Sequence, residues 1–136
     1  MKRIALILTA VALGAAATAA AATPAVTITI RHQTRHCHTW SVDGNAWKAT
    51  QSVSVAHGAS LFFRNNDVMP HRLVEVSGPA LKLSRAANMR VMGATFRLSL
   101  PTAGTYRFTT KPGEDYMTGV KTTGEDNTLI LTVTVT

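Results

Sequence analysis

Cysteine is almost missing from this 136-residue chain, where Cys37 is the single thiol. One cysteine closes no internal disulfide, so the thiol must be buried, paired with another chain, or bound to something that protects it. Acids are also scarce: seven Asp and Glu stand against fourteen Lys and Arg, a formal charge of +7. The basic residues nevertheless form no stripe with interleaved aromatics, which argues against nucleic-acid binding. No nucleophile elbow, no carboxylate pair in apolar surroundings and no H-E-x-x-H set occurs, so the chain is not read as an enzyme. No helical period holds for long either. What is plentiful is apolar residues, at 46%, enough for the core of one domain and too many for a disordered chain.

The first residues, MKR followed by IALILTAVALGAAATAAAA, give a positive start, an apolar run and a small-residue tail. This is the pattern of a secretory signal, with cleavage expected before Thr23. Residues 1–22 are then a signal peptide and 23–136 one exported domain, periplasmic or extracellular. Loss of Lys2 and Arg3 takes the formal charge from +7 to +5. No stable membrane span remains after cleavage, and uncleaved the alanine-rich run is a weak anchor.

Strand signals fill the rest. Val26, Ile28 and Ile30 alternate with threonines, Val53 and Val55 with serines, and Phe96, Leu98 and Leu100 with polar residues. Further strands are expected over Leu61–Arg64, Arg72–Val76 and around Tyr106 and Phe108. The last segment, TLILTVTVT, sets Leu129, Leu131, Val133 and Val135 on one face. Ala80 to Met92 reads as a connecting loop with room for a short helical turn. Short strands with turns between them predict an all-β, antiparallel β-sandwich.

Two stretches carry candidate chemistry. In RHQTRHCHTW, Arg31 to Trp40, histidines surround the lone thiol. In LFFRNNDVMPHRLVEV, Leu61 to Val76, Pro70 fixes the backbone just before His71, which opens a strand after a polar turn at Asn65, Asn66 and Asp67. A histidine on so stiff a support suits metal ligation, because an imidazole bonds a metal well only when its approach is held from behind. The plain alternative is a histidine that closes a loop. His32 and His57 are read as solvent-facing, Met69, Met89 and Met92 as packing, and Trp40 and Trp47 as core or lid. The acids in GEDY and GEDN, Glu114, Asp115, Glu125 and Asp126, lack calcium-loop spacing and read as solvated turns.

The hydrophobic run with N-N-D and His71, the AGTYRF strand start at Ala103 to Phe108, Met117 ahead of Gly119, and the final alternating strand resemble the cupredoxin family. The likeness spans about Thr27 to Val135. It implies a Greek-key sandwich with copper at one end, held by an early His, a late Cys, a late His and often a Met. The late thiolate is expected near Thr110 and the late histidine near Gly113, yet TTKPGEDYM holds neither. Only His71 and Met117 stand where the resemblance implies ligands.

The resemblance also passes the loop after the first strand over the copper end. Cys37 with His36 or His38 is therefore expected to replace the missing donors. Two sets remain open: Cys37 and one adjacent histidine from a bent loop with His71 and Met117, or His36, His38 and His71 with Cys37 turned into the core. We favour the first, since bound copper protects an exported thiol from oxidation. The implied function is a copper-binding cupredoxin-like protein in electron transfer or copper holding and delivery, with a redox or copper-delivery partner protein. The alternative is a metal-free β-sandwich that serves as a binding module of the cell envelope.

Overall fold

A computed structural model describes residues 25–32, 38–113, 116–120 and 127–136. The expected signal peptide, His36, Cys37 and the acids of GEDY and GEDN lie outside the described residues. Nine strands are described: β1 (Ala25–His32), β2 (His38–Val42), β3 (Thr50–Val55), β4 (Ser60–Asn65), β5 (His71–Ser77), β6 (Asn88–Met89), β7 (Thr95–Ser99), β8 (Gly104–Pro112) and β9 (Ile130–Val135). They form two sheets, ordered β2-β1-β4-β7 and β3-β9-β8-β5-β6.

The expected all-β sandwich is observed, with one difference in strand sense. Each sheet is mixed rather than purely antiparallel, because β1 runs parallel to β4 and β3 parallel to β9. The remaining strand pairs are antiparallel. Parallel neighbours arise where a strand pairs with one that is distant along the chain, reached by a crossover instead of a tight hairpin.

Alternation builds the core. Ile28 and Ile30 of β1, Leu61 and Phe63 of β4, and Phe96 and Leu98 of β7 bury one side of their sheet. Opposite them stand Leu73, Tyr106, Phe108, Leu131 and Val133. Phe63 contacts both Phe96 and Phe108 at centroid distances of 6.3 and 6.2 Å. Each such ring buries enough apolar surface to stabilise the fold by about 2–3 kcal/mol relative to exposure.

Two segments differ from expectation. Between Ala80 and Met92 the loop holds the short helical turn it had room for, Arg85–Ala87, N-capped by Ser84, and adds the unexpected two-residue strand β6. The second histidine-bearing segment, His38–Val42, is a strand, and all five residues of it are buried. Trp40 and Val42 alternate with Thr39 and Ser41, but the polar face is buried too, so the strand is covered on both sides. Trp40 pairs by an isolated bridge with Lys48, and the Gln51 amide donates to the Trp40 carbonyl at 3.0 Å.

Candidate metal centre

His38 is set in place by its backbone. Cross-strand register pairs His38 with His32 at the end of the β1–β2 pair where the chain passes from one strand to the next. Asn127, far along the sequence, clamps the same residue: its Oδ1 accepts from the His38 N–H and its Nδ2 donates to the His38 carbonyl, both at 2.7 Å. Successive strand residues point to opposite faces, so His38 shares a face with the core residue Trp40. Its ring is 1% exposed.

Asp67 reaches the same place from a polar turn folded inward. Asn65 organises that turn: its Nδ2 donates to the carbonyls of Met69 (2.8 Å) and Met89 (3.1 Å), while its Oδ1 accepts from the Asp67 N–H (2.9 Å). Asp67 Oδ1 then accepts from the Met69 N–H at 2.9 Å. Both Asn65 and Asp67 are fully buried, a placement open to a carboxylate only when it is well paired.

His71 opens β5 directly after Pro70, and its register partner on β8 is Pro112. The following residue, Gly113, lies against Pro70: a Cβ there would stand 3.1 Å from the proline Cδ and 2.9 Å from Val120 Cγ1. Only glycine lets the two segments approach so closely. Rigid neighbours therefore hold the His71 ring, which is fully buried.

The three side chains form one network. Asp67 Oδ2 lies 2.9 Å from His38 Nδ1 and 3.3 Å from His71 Nε2. His71 Nδ1 lies 3.1 Å from Thr110 Oγ1. The two imidazoles meet edge to face, with centroids 4.7 Å apart. Burial raises the Asp67 carboxyl, but the hydrogen bonds from His38, His71 and the Met69 N–H, with the electrostatic pull of His71, outweigh it. The net result holds the acid well below the usual carboxylate range, so it is ionised.

An ionised carboxylate only accepts hydrogen bonds. Both facing nitrogens, His38 Nδ1 and His71 Nε2, therefore carry hydrogens. In neutral His38 the lone pair is then left on Nε2, which is buried and has no hydrogen-bond partner among the described residues. A carboxylate that holds one ring nitrogen and leaves the other as a donor is the arrangement that orients metal-binding histidines. The donor chemistry of this pole thus fits a metal ion.

Of the residues singled out in the sequence, His38 and His71 are brought together, while His36 and Cys37 fall in the segment 33–37, outside the described residues. Met117 is half-buried in the turn after β8, where its N–H donates to the Gly113 carbonyl at 2.7 Å. Thr110, where the resemblance implies a thiolate, contributes a hydroxyl to His71 instead. His57 is exposed, as expected. His32 is exposed too, but it stands beside the site: ligand atoms of His32, His38 and Asp67 lie within 4.8 Å of one another. Sequence reasoning missed Asp67 as a member, reading it as part of an outer turn. The available signal was its place four residues before His71.

No family model matches the chain, and no curated protein matches it. Solved structures do resemble it. The novel purple cupredoxin from Nitrosopumilus maritimus is 15% identical, with 81% of this chain and 98% of that chain covered and a TM-score of 0.47. A mutant of amicyanin with Cu(I) is 19% identical, over 81% of this chain and 82% of that chain, with a TM-score of 0.45. Both matches are to copper proteins of the cupredoxin kind by name, and the described strands of this chain form a two-sheet β-sandwich. A copper-containing nitrite reductase from Thermus scotoductus is 17% identical, with a TM-score of 0.49 and 82% of this chain covered; this chain spans only 27% of it. At such identities the cupredoxin-like likeness concerns fold alone.

Proposed function

We propose that this cupredoxin-like protein is exported and holds copper for delivery, with the ion gripped between the β1–β2 end and the turn before β5. His38 and His71 supply imidazoles, Asp67 orients them, and Cys37, next to His38 in the chain, supplies the thiolate. Met117 serves as a thioether donor from the turn after β8. Nitrogen with soft sulfur is the donor mix that favours copper over magnesium or calcium. Bound copper would supply Lewis-acid and one-electron chemistry, while the chain orients the rings and keeps the site dry.

One observation carries this reading: His38 Nε2 is buried without a partner among the described residues while its other nitrogen is anchored on Asp67. Leaving a polar atom so placed costs about 1–3 kcal/mol unless something binds it. Holding is favoured over electron transfer because Thr110 brings a hydroxyl, not a thiolate, to His71.

A second reading, the metal-free envelope module, draws support from the same network, since Asp67 and both ring nitrogens of His71 already have protein partners. Anaerobic Cu(I) titration against a coloured chelator, with Cys37→Ser alongside, separates the two. Colourless, one-to-one Cu(I) binding that weakens in Cys37→Ser supports holding. An intense visible band with Cu(II) and a reversible potential would make the protein an electron carrier, and no copper in either form would leave the binding module.

A further inference from the structure

A cleft lies at the sheet edge formed by β5, β6 and the 3-10 turn. Its volume is about 470 Å³, and it is lined by the arginines Arg72, Arg85 and Arg90, by Asn88, and by the apolar residues Leu73 and Ala87. Clefts of this size suit small ligands. Its charge is of one sign, for the lining contains no acid.

The arginines are also left uncompensated nearby. Among the described residues none of them pairs with a carboxylate, the only ion pairs there being those of Asp67 with the histidines. Glu75, the acid that β5 carries, accepts from the Leu81 N–H at 3.0 Å instead. Three guanidinium groups that line one cleft with no counter-charge among the described residues repel one another, and a bound anion relieves this.

Part of the cleft is pre-organised. The Arg72 guanidinium lies 4.6 Å above the Tyr116 ring, a cation–π contact that restrains an otherwise mobile side chain. Tyr116 is itself fixed, its hydroxyl donating to Asn88 Oδ1 at 2.7 Å. Accepting at Oδ1 leaves Asn88 with its Nδ2 hydrogens as further donors. Burial pushes the Tyr116 hydroxyl up, while the charges of Arg72 and Arg90 pull it back, so the positive field of both arginines reaches the phenol.

We propose that this cleft binds a small polyanion that carries phosphate or carboxylate groups. Planar guanidinium forks match both groups through paired, charge-assisted hydrogen bonds, and the apolar lining accommodates a short carbon or ester stem. Its charged groups differ from those of the proposed copper centre: Arg72 follows His71 on β5 and therefore points to the opposite face of the sheet.

The test is calorimetric titration of the whole chain, in metal-free buffer, with inorganic pyrophosphate and separately with citrate. Saturable binding of either is expected, and the tighter of the two assigns phosphate or carboxylate as the preferred group. Arg85→Gln with Arg90→Gln should weaken binding by about tenfold or more. Arg64→Gln with Arg97→Gln, on the other sheet, removes the same charge and should leave affinity within about twofold. Amide shifts on the unmutated chain, which need no variant to fold, should centre on Asn88 and Arg90. No saturable binding of either anion, an equal loss in both double variants, or shifts centred elsewhere overturns the proposal. None of these results bears on copper, and a chain that binds no copper would leave this cleft unaffected.

Discussion

The imidazoles of His38 and His71 stand edge to face, centroids 4.7 Å apart and planes at 88°, although they come from different sheets and distant stretches of sequence. What joins them is a single oxygen, Asp67 Oδ2, which accepts from both. Removal of that oxygen is the sharpest perturbation open to experiment.

Asp67→Asn replaces a buried anion with a neutral amide that has one acceptor and an unwanted donor facing two imidazole N–H groups. The metal-free protein should lose about 2–4 kcal/mol of stability, in the range for breaking a buried charged hydrogen-bond set. Copper affinity should fall by roughly ten- to hundredfold, as it does when the carboxylate behind a metal-bound histidine is lost. Urea unfolding and chelator competition read the two effects separately.

Acid should act through the same residue. The folded-state Asp67 carboxyl is held below its ordinary value, so the unfolded chain takes up the proton first. The stability it contributes is complete above the unfolded value of about 3.9 and is lost as pH falls from there through the folded value. Urea midpoints of the metal-free protein from pH 7 down to pH 2 should therefore drop more steeply below about pH 4 in the wild type than in Asp67→Asn. Parallel acid limbs would contradict this.

Asn127 is expected to matter for His38 out of proportion to its exposure. Asn127→Ala removes the donor and the acceptor that clamp the His38 backbone. Two lost hydrogen bonds to a buried strand should cost about 1–3 kcal/mol. The ring resonances of His38 should broaden or shift while those of exposed His57 stay put, which proton–carbon NMR can follow.

Gly113→Ala probes the other support. The added methyl would press on Pro70 and Val120, and overpacking of this kind costs about 1–3 kcal/mol. Because Pro70 precedes His71, copper affinity should fall together with the denaturation midpoint. A stability loss with unchanged affinity would show that the turn after β8 does not position His71.

Much of the fold was legible because alternation was clean. Ile28 and Ile30, Phe96 and Leu98, and Leu131 and Val133 are all buried where the pattern placed them. Pro70 before His71 marked the start of β5 correctly. The segment His38–Val42 was not read as a strand: Trp40 and Val42 alternate with Thr39 and Ser41, but two apolar residues beside a histidine cluster are too short a period to stand out. Asp67 was hidden for another reason. Acids are usually exposed, and only the three-dimensional approach of two imidazoles and an asparagine turn makes a buried one favourable. His32 was read by its exposure alone, whereas strand register sets it across from His38.

The account depends most on His38 Nε2 being a copper donor, and His38→Ala tests that directly. Metal analysis and Cu(I) competition on the wild-type chain should show one copper per chain, with affinity reduced by about a hundredfold or more in His38→Ala. Equal copper content and affinity in the two proteins, or no copper in the wild type, would contradict it.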